Sequence, residues 1–164
     1  MDALLRLVHI GAGVVWAGGA FMTAWFILPA ATIAGPAAGP FMGALTGRTK
    51  ITQTMVWAST LTVGAGLVMW ARLYGIALPG GFRGAALVVG SVAGLAALGV
   101  GHGVQSPTAK KMAGLGAAVA AAGAPPTADQ AAELDRLRSK MGRTAVMLGW
   151  LMVAAVAGMA LGGS

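Results

Sequence analysis

Long apolar runs separated by short polar segments predict four helices that cross a membrane. A hydrocarbon core about 30 Å thick requires about 20 apolar residues at 1.5 Å of helical rise per residue. Four segments meet this length, at about 3–28, 51–71, 84–104 and 144–162, and no segment between them is long and apolar enough for a fifth crossing. The pattern therefore predicts an all-α integral membrane protein whose single domain, residues 1–164, is an up-down-up-down four-helix transmembrane bundle.

The first two connections differ in length and in their turn residues. The first contains several glycines and three prolines, Pro29, Pro36 and Pro40, and predicts a loop with at most a short interfacial helix. The second, "YGIALPGGFRG", is a short turn. A short connection predicts that the second and third helices are antiparallel neighbours.

The third connection has helical signals of its own. "SPTAKKMAGLG" has Ser and Pro at the start of a helix, which predicts that the third helix restarts or extends until "GAPP" ends it. Thr127 and Gln130 then have the spacing of a capping box, and apolar residues recur at helical spacing after them. We predict one final helix over about 127–162, whose first part, about 127–143, extends into the cytoplasm.

Composition supports the membrane assignment and limits the chemistry. Of the 164 residues, 57% are hydrophobic and 9% are charged, and the mean hydropathy is +0.80. The first apolar run is longer than the core of a signal peptide, so we expect it to be retained. The chain has no cysteine, which excludes disulfides, thiolate ligands and covalent haem attachment. Any cofactor must be held by histidine, methionine, backbone or packing.

The basic residues are divided unequally between the two predicted sides. Eight lie on the side of the first and third connections and three on the other: Arg48, Lys50, Lys110, Lys111, Arg136, Arg138, Lys140 and Arg143, against Arg6, Arg72 and Arg83. The positive-inside rule then predicts that both termini lie outside and those two connections in the cytoplasm, and we expect the membrane to be of the bacterial cytoplasmic type. We interpret the net charge of +7 as a topology signal and a contact for the lipid bilayer, not for nucleic acid.

Small residues recur at the spacing that brings membrane helices close together. The third helix contains two Gly-xxx-Gly pairs, Gly90 with Gly94 and Gly99 with Gly103, and the first helix contains Gly11, Gly18 and Gly19. Such residues favour close packing within the bundle, and the paired face allows a homodimer or a larger membrane complex. A second interpretation is that they make room for a flat cofactor.

Acidic side chains are absent from the predicted spans. All four, Asp2, Asp129, Glu133 and Asp135, lie outside them. This excludes carboxylate proton relays and leaves no carboxylate as an intramembrane general base. Histidine is then the main candidate for chemistry within the spans.

His9 lies near the start of the first apolar run, where an imidazole needs a partner. One hypothesis is a neutral imidazole bonded to a helical carbonyl or a hydroxyl. The other is an axial ligand to the iron of haem b. Arg6, one turn nearer the outer surface, is placed either to pair with a haem propionate or to reach the lipid headgroups.

The second ligand of such a haem is not expected to be His102. Residue counts along the spans put the two imidazoles at depths that differ by roughly 20 Å. His102 is interpreted as a boundary histidine, with a second haem or metal site as a secondary hypothesis. Met69 and Met159 are predicted at the depth of His9 and are the candidates, unless they only fill gaps in the bundle. Trp16, Trp57 and Trp150 are placed to line a porphyrin.

Two segments resemble a known group of membrane proteins. "LLRLVHIGAGVVWAGG", with His9 seven residues before Trp16, resembles the first helix of the HemJ-type and CopD-type proteins. "GVGHGVQSPTAKKM" is similar to the HemJ-type segment in which a histidine precedes a Lys-Lys pair by the same interval. The HemJ-type resemblance implies a haem-binding protoporphyrinogen oxidase with His9 as a haem ligand or catalytic position. The CopD-type resemblance implies copper handling, for which methionines are soft ligands.

The chain departs from the HemJ-type pattern at one position. Ser91 stands roughly where that family carries a lysine, so whether the chain is an enzyme stays open. The sequence thus favours a haem b protein with a redox or electron-transfer role. Copper handling and a cofactor-free structural subunit are the alternatives.

Overall fold

The computed structural model describes residues 2–162, and every regular element within them is helical. The α-helices are α1 (Asp2–Met22), α2 (Leu28–Ala34), α3 (Ala38–Gly47), α4 (Ile51–Leu73), α5 (Gly81–Val100), α6 (Ser106–Ala122) and α7 (Ala128–Gly162). Four continuous helical stretches in this part of the chain are long and apolar enough to cross a membrane: Ala3–Ala34, Ile51–Leu73, Gly81–Ala122 and Ala128–Gly162. The structure therefore agrees with an all-helical membrane protein.

The first connection is mostly helical, which differs from the predicted loop. A π-helical turn, Thr23–Ile27, joins α1 to α2, and the ten residues of α3 follow after a short 3₁₀ turn. Pro29 lies in the first turn of α2 and Pro40 in the first turn of α3. Pro40 lies where a helix starts and backbone N–H groups have no helical partner, whereas Pro29 lies inside the continuous stretch Ala3–Ala34, directly after the π-helical turn. The chain is thus helical on both sides of these prolines, and the prediction of a loop was wrong.

The third connection contains the helical extension and the capping box predicted for it. A second π-helical turn, Gly101–Gln105, joins α5 to α6. Gly123 follows the last residue of α6 and adopts the left-handed conformation, φ 61°, that ends the helix. The Thr127 N–H donates to Gln130 Oε1 at 3.0 Å, and the Gln130 N–H donates to Thr127 Oγ1 at 3.3 Å. These two bonds satisfy donors that the start of α7 leaves without helical partners. The predicted single final helix is confirmed, and it begins at Ala128.

Two exposed ion pairs lie on the first turns of α7. Arg136 donates two hydrogen bonds of 2.7 Å to the Glu133 carboxylate, and Arg138 donates one of 3.0 Å to Asp135. The bidentate Arg136 guanidinium holds the pKa of the Glu133 carboxyl below its ordinary value. This part of α7 is therefore polar, in contrast to the apolar part that follows.

The helices pack in two pairs, α1 with α4 and α5 with α7, and α1 also contacts α7. Along the first pair, Gly13 lies against Thr62, while Gly19, farther along α1, lies against the earlier residue Met55. The numbers of the contacting residues therefore rise along α1 as they fall along α4. The same reversal occurs in the second pair.

Glycine permits the closest approach between α5 and α7. A Cβ added at Gly90 would lie 2.9 Å from the Met159 backbone nitrogen, and one added at Gly158 would lie 2.6 Å from Gly90 Cα. Close packing is therefore confirmed at Gly90, and likewise at Gly19, where a Cβ would lie within 3 Å of Met55. It is not found at four other glycines, where a Cβ would meet no atom within 4 Å: Gly11, Gly18, Gly99 and Gly103.

Trp16 is the one aromatic side chain in the described buried core. It is 6% exposed and packs with Ala58, Ala97, Leu148 and Met152, which come from α4, α5 and α7. Many large apolar side chains instead face outward on all four long stretches. Such a surface suits contact with lipid hydrocarbon, where apolar groups need no cover.

Candidate functional site

His9 is held against α4 by a hydrogen bond to main chain. Its Nδ1 lies 2.7 Å from the carbonyl oxygen of Thr62. A carbonyl oxygen only accepts, so Nδ1 carries the proton and the lone pair of the neutral ring is on Nε2. Among the side chains that the structure describes, none forms a hydrogen bond with Nε2. The contact meets the polar need of an imidazole in an apolar helix, and it also orients a nitrogen that can bind a metal.

Gly66 makes this contact possible. A Cβ at that position would lie 2.9 Å from His9 Cε1 and 3.1 Å from His9 Nδ1. Gly66 lies one turn after Thr62 on the face of α4 that meets α1. The absence of a side chain at Gly66 therefore provides the space that the imidazole occupies.

His102 lies in the π-helical turn between α5 and α6 and also contacts α4. Its Nε2 is 3.0 Å from Oγ of Ser59, whose side chain is buried. The Ser59 hydroxyl donates to the Val56 carbonyl at 2.9 Å, so it accepts from the N–H at Nε2 of His102. The two histidines therefore hold opposite tautomers, with the lone pair on Nε2 in His9 and on Nδ1 in His102.

The two imidazoles lie closer in depth than the sequence predicted. Their partners, Ser59 and Thr62, are three residues apart on α4, a rise of about 4.5 Å. The prediction of roughly 20 Å was wrong because it centred each span on its apolar run. The third helical stretch continues to Ala122, which puts His102 close to its middle.

A cavity of about 210 Å³ lies beside His102 and is lined by residues of both π-helical turns. Thr23 comes from the first turn and His102 and Gln105 from the second, with Trp16 and Ser59 on the walls. π-helical turns inside α-helices often mark functional sites. The cavity is therefore the second element of the candidate site.

Both π-helical turns end two residues before a proline, Pro29 in one case and Pro107 in the other. A proline lacks an N–H and its ring displaces the carbonyl four residues earlier, which lies inside the turn in each case. This shared spacing is the sequence signal that identifies the cavity walls. The sequence analysis interpreted the two prolines only as a loop residue and a helix start.

Methionines also gather at this cavity. Met42, Met55 and Met141 line it together with His102. The sequence analysis named Met69 and Met159 and did not single out this set. Within residues 2–162, no group of three His, Cys, Asp or Glu side chains is placed to hold a metal ion. The soft ligands that the cavity offers a metal are these thioethers and the His102 imidazole.

The other predicted site residues lie on different helices and differ in exposure. Arg6 is exposed, one turn before His9, and Met69 is half-buried on α4, three residues after Gly66. The contact described for Met159 is with α5, at Gly90. Trp16 is buried as expected of a lining residue, whereas Trp57 and Trp150 are 66% and 62% exposed on the outer surface. Whether any of the three tryptophans lines a porphyrin stays a prediction.

Comparison with known proteins adds no family to this geometry. No protein-family model, curated protein or solved structure matches the chain. The functional argument therefore depends on the residues themselves.

Proposed function

We propose that this chain is a small integral membrane protein that binds haem b through His9 and has a redox or electron-transfer role, alone or within a larger complex. The observation that carries the proposal is the bond from Nδ1 of His9 to the Thr62 carbonyl, which leaves the Nε2 lone pair for iron. Haem bound in this way would supply an iron that gains and loses one electron. The likeness of the first helix to HemJ-type and CopD-type proteins points in the same direction.

The surroundings of His9 suit a ligand at the side of the bundle more than one in its interior. His9 is half-buried and lines neither the cavity at His102 nor the groove described below. Met69 follows Gly66 by one turn of α4, and we propose it as the second axial ligand, with Met159 as the alternative. Arg6, exposed one turn from His9, is proposed to pair with a propionate. A HemJ-type oxidase activity is not part of this proposal, because Ser91 stands at the position of the family lysine.

The proposed arrangement in the membrane is an up-down-up-down bundle with both termini outside. The reversed order of contacts in the two helix pairs supports alternating directions. The excess of lysine and arginine around α3, α6 and the start of α7 supports a cytoplasmic location for those segments. For a homodimer, the face at Gly99 and Gly103 is open, whereas α7 covers Gly90.

The first experiment measures haem in the purified protein. The chain is expressed with a haem supply, purified in mild detergent and examined by optical spectroscopy in the oxidised and reduced states. We expect a Soret and an α band, and Met69→Leu should shift the midpoint potential downward, because a thioether ligand raises it. An absence of both bands would contradict the proposal.

Copper handling is the second candidate function, and one observation favours it. Met42, Met55, Met141 and His102 line the same cavity, and thioether and imidazole groups are ligands for Cu(I). The test is competition for Cu(I) against a coloured chelator under reducing conditions. We expect the chain to bind Cu(I) stoichiometrically and a Met55→Leu, Met141→Leu double variant to lose this binding. The matched control is Met147→Leu, at a residue outside the cavity, which should bind Cu(I) as well as the unaltered chain does.

A further inference from the structure

A groove of about 450 Å³ runs along the outside of the α1 and α4 pair. Its apolar walls include Val15, Trp57 and Leu61, all exposed, and its polar part includes Lys50 and Gln53. The groove thus changes from apolar to cationic along its length. It lies on the surface that would face lipid.

The length of the groove matches one leaflet of a membrane. Lys50 directly precedes α4, and Leu61 lies eleven residues after it, a helical rise of about 16 Å. The hydrocarbon core of a bilayer is about 30 Å thick, so one leaflet provides about half of that. An acyl chain that starts at the level of Lys50 would therefore reach the level of Leu61.

The depth of the groove depends on a missing side chain. Gly11 lines it on α1, and a Cβ at this position would meet no atom within 4 Å. The exposed side chains of Val15, Trp57 and Leu61 form the walls beside it. A side chain at Gly11 would occupy the space of the groove.

We propose that this groove binds one anionic phospholipid, with an acyl chain along the apolar walls and the phosphate at Lys50. The described lining residues include one cation, Lys50, and no carboxylate, which complements a negative headgroup. The Gln53 amide and the Thr54 hydroxyl lie at the same end and provide hydrogen bonds for phosphate or glycerol oxygens. The Lys50 stem reaches along the apolar surface while its ammonium stays at the headgroups. The proposal is independent of haem.

The test uses the full chain in vesicles of equal parts phosphatidylglycerol and phosphatidylethanolamine. The protein is extracted in mild detergent, and the lipids that stay bound are identified by native mass spectrometry. We expect one phosphatidylglycerol per chain. Lys50→Gln should lower its occupancy about five-fold, which corresponds to about 1 kcal/mol for one lysine at an anionic surface. Lys110→Gln, at another exposed lysine, is the charge control and should leave it unchanged.

A second pair of variants tests the apolar part. Gly11→Leu should abolish retention of phosphatidylglycerol, whereas Gly18→Leu, at another open glycine of α1, should leave it unchanged. Far-UV circular dichroism shows whether each variant keeps its helices. The proposal would be overturned if the two leucine variants retained phospholipid equally, or if the two lysine variants had equal effects. It would also be overturned if a quinone or a second copy of the chain were bound in place of phospholipid.

Discussion

The contact between α5 and α7 predicts that Gly158→Ala destabilises the protein. A Cβ at Gly158 would lie 2.6 Å from three backbone atoms of α5, the Ala86 oxygen and the Gly90 nitrogen and Cα. Ordinary contact begins at 3.4 Å, so the helices must separate by roughly 0.8 Å. Backbone atoms cannot rotate aside as a side chain can, and overpacking of this kind costs about 1–3 kcal/mol.

A matched control separates this clash from helix propensity. Gly→Ala in a helix gains up to about 1 kcal/mol by itself, and Gly99→Ala on α5 receives that gain with no atom within 4 Å of the new Cβ. The free energy of unfolding of both variants is measured with SDS in mixed micelles, followed by circular dichroism. We expect Gly158→Ala to be less stable than Gly99→Ala by about 1–3 kcal/mol. Equal stability would refute the close approach of the two helices.

Three further predictions concern local contacts. Thr127→Ala removes the capping oxygen and should cost about 0.5–2 kcal/mol, seen as faster hydrogen exchange in the first turn of α7. Because Arg136 lowers the pKa of Glu133, the stabilisation from their pair should be present above the ordinary carboxyl pKa and be lost as pH falls through the lowered value. Carboxyl NMR titration checks this, and an unchanged pKa in Arg136→Gln would contradict it. Gly66→Ala should displace His9, and ¹⁵N NMR of labelled histidine should then show loss of the Nδ1–H tautomer; an unaltered spectrum would refute the contact.

Features that depend on local sequence could be predicted. The four apolar stretches follow from length and hydropathy, and the capping box at Thr127 follows from two residues at a fixed spacing. The first connection was mispredicted because a proline does not always end a helix: it is tolerated in a first turn, as at Pro40, and directly after a π-helical turn, as at Pro29. The sequence contains both prolines, and only the fold shows that the chain is helical around them.

Features that depend on how helices rotate and tilt could not be predicted. The exposure of Trp57 and the burial of Trp16 depend on which face of each helix meets its neighbour. Predicting which residues bind the two histidines would require the same knowledge of helix faces, since nothing in the sequence marks Ser59 or Thr62 as a partner. Depth counted along one helix also fails when a helix extends past its apolar run, as at His102.

The most direct test of haem binding at Nε2 of His9 compares two histidine variants. His9→Ala and His102→Ala are purified after expression with a haem supply, and reduced-minus-oxidised spectra are recorded beside the unaltered chain. We predict that His9→Ala loses the Soret and α bands while His102→Ala keeps them, because the two rings contact α4 at separate sites. Bands that persist in His9→Ala, or that are absent from the unaltered chain, would contradict the account.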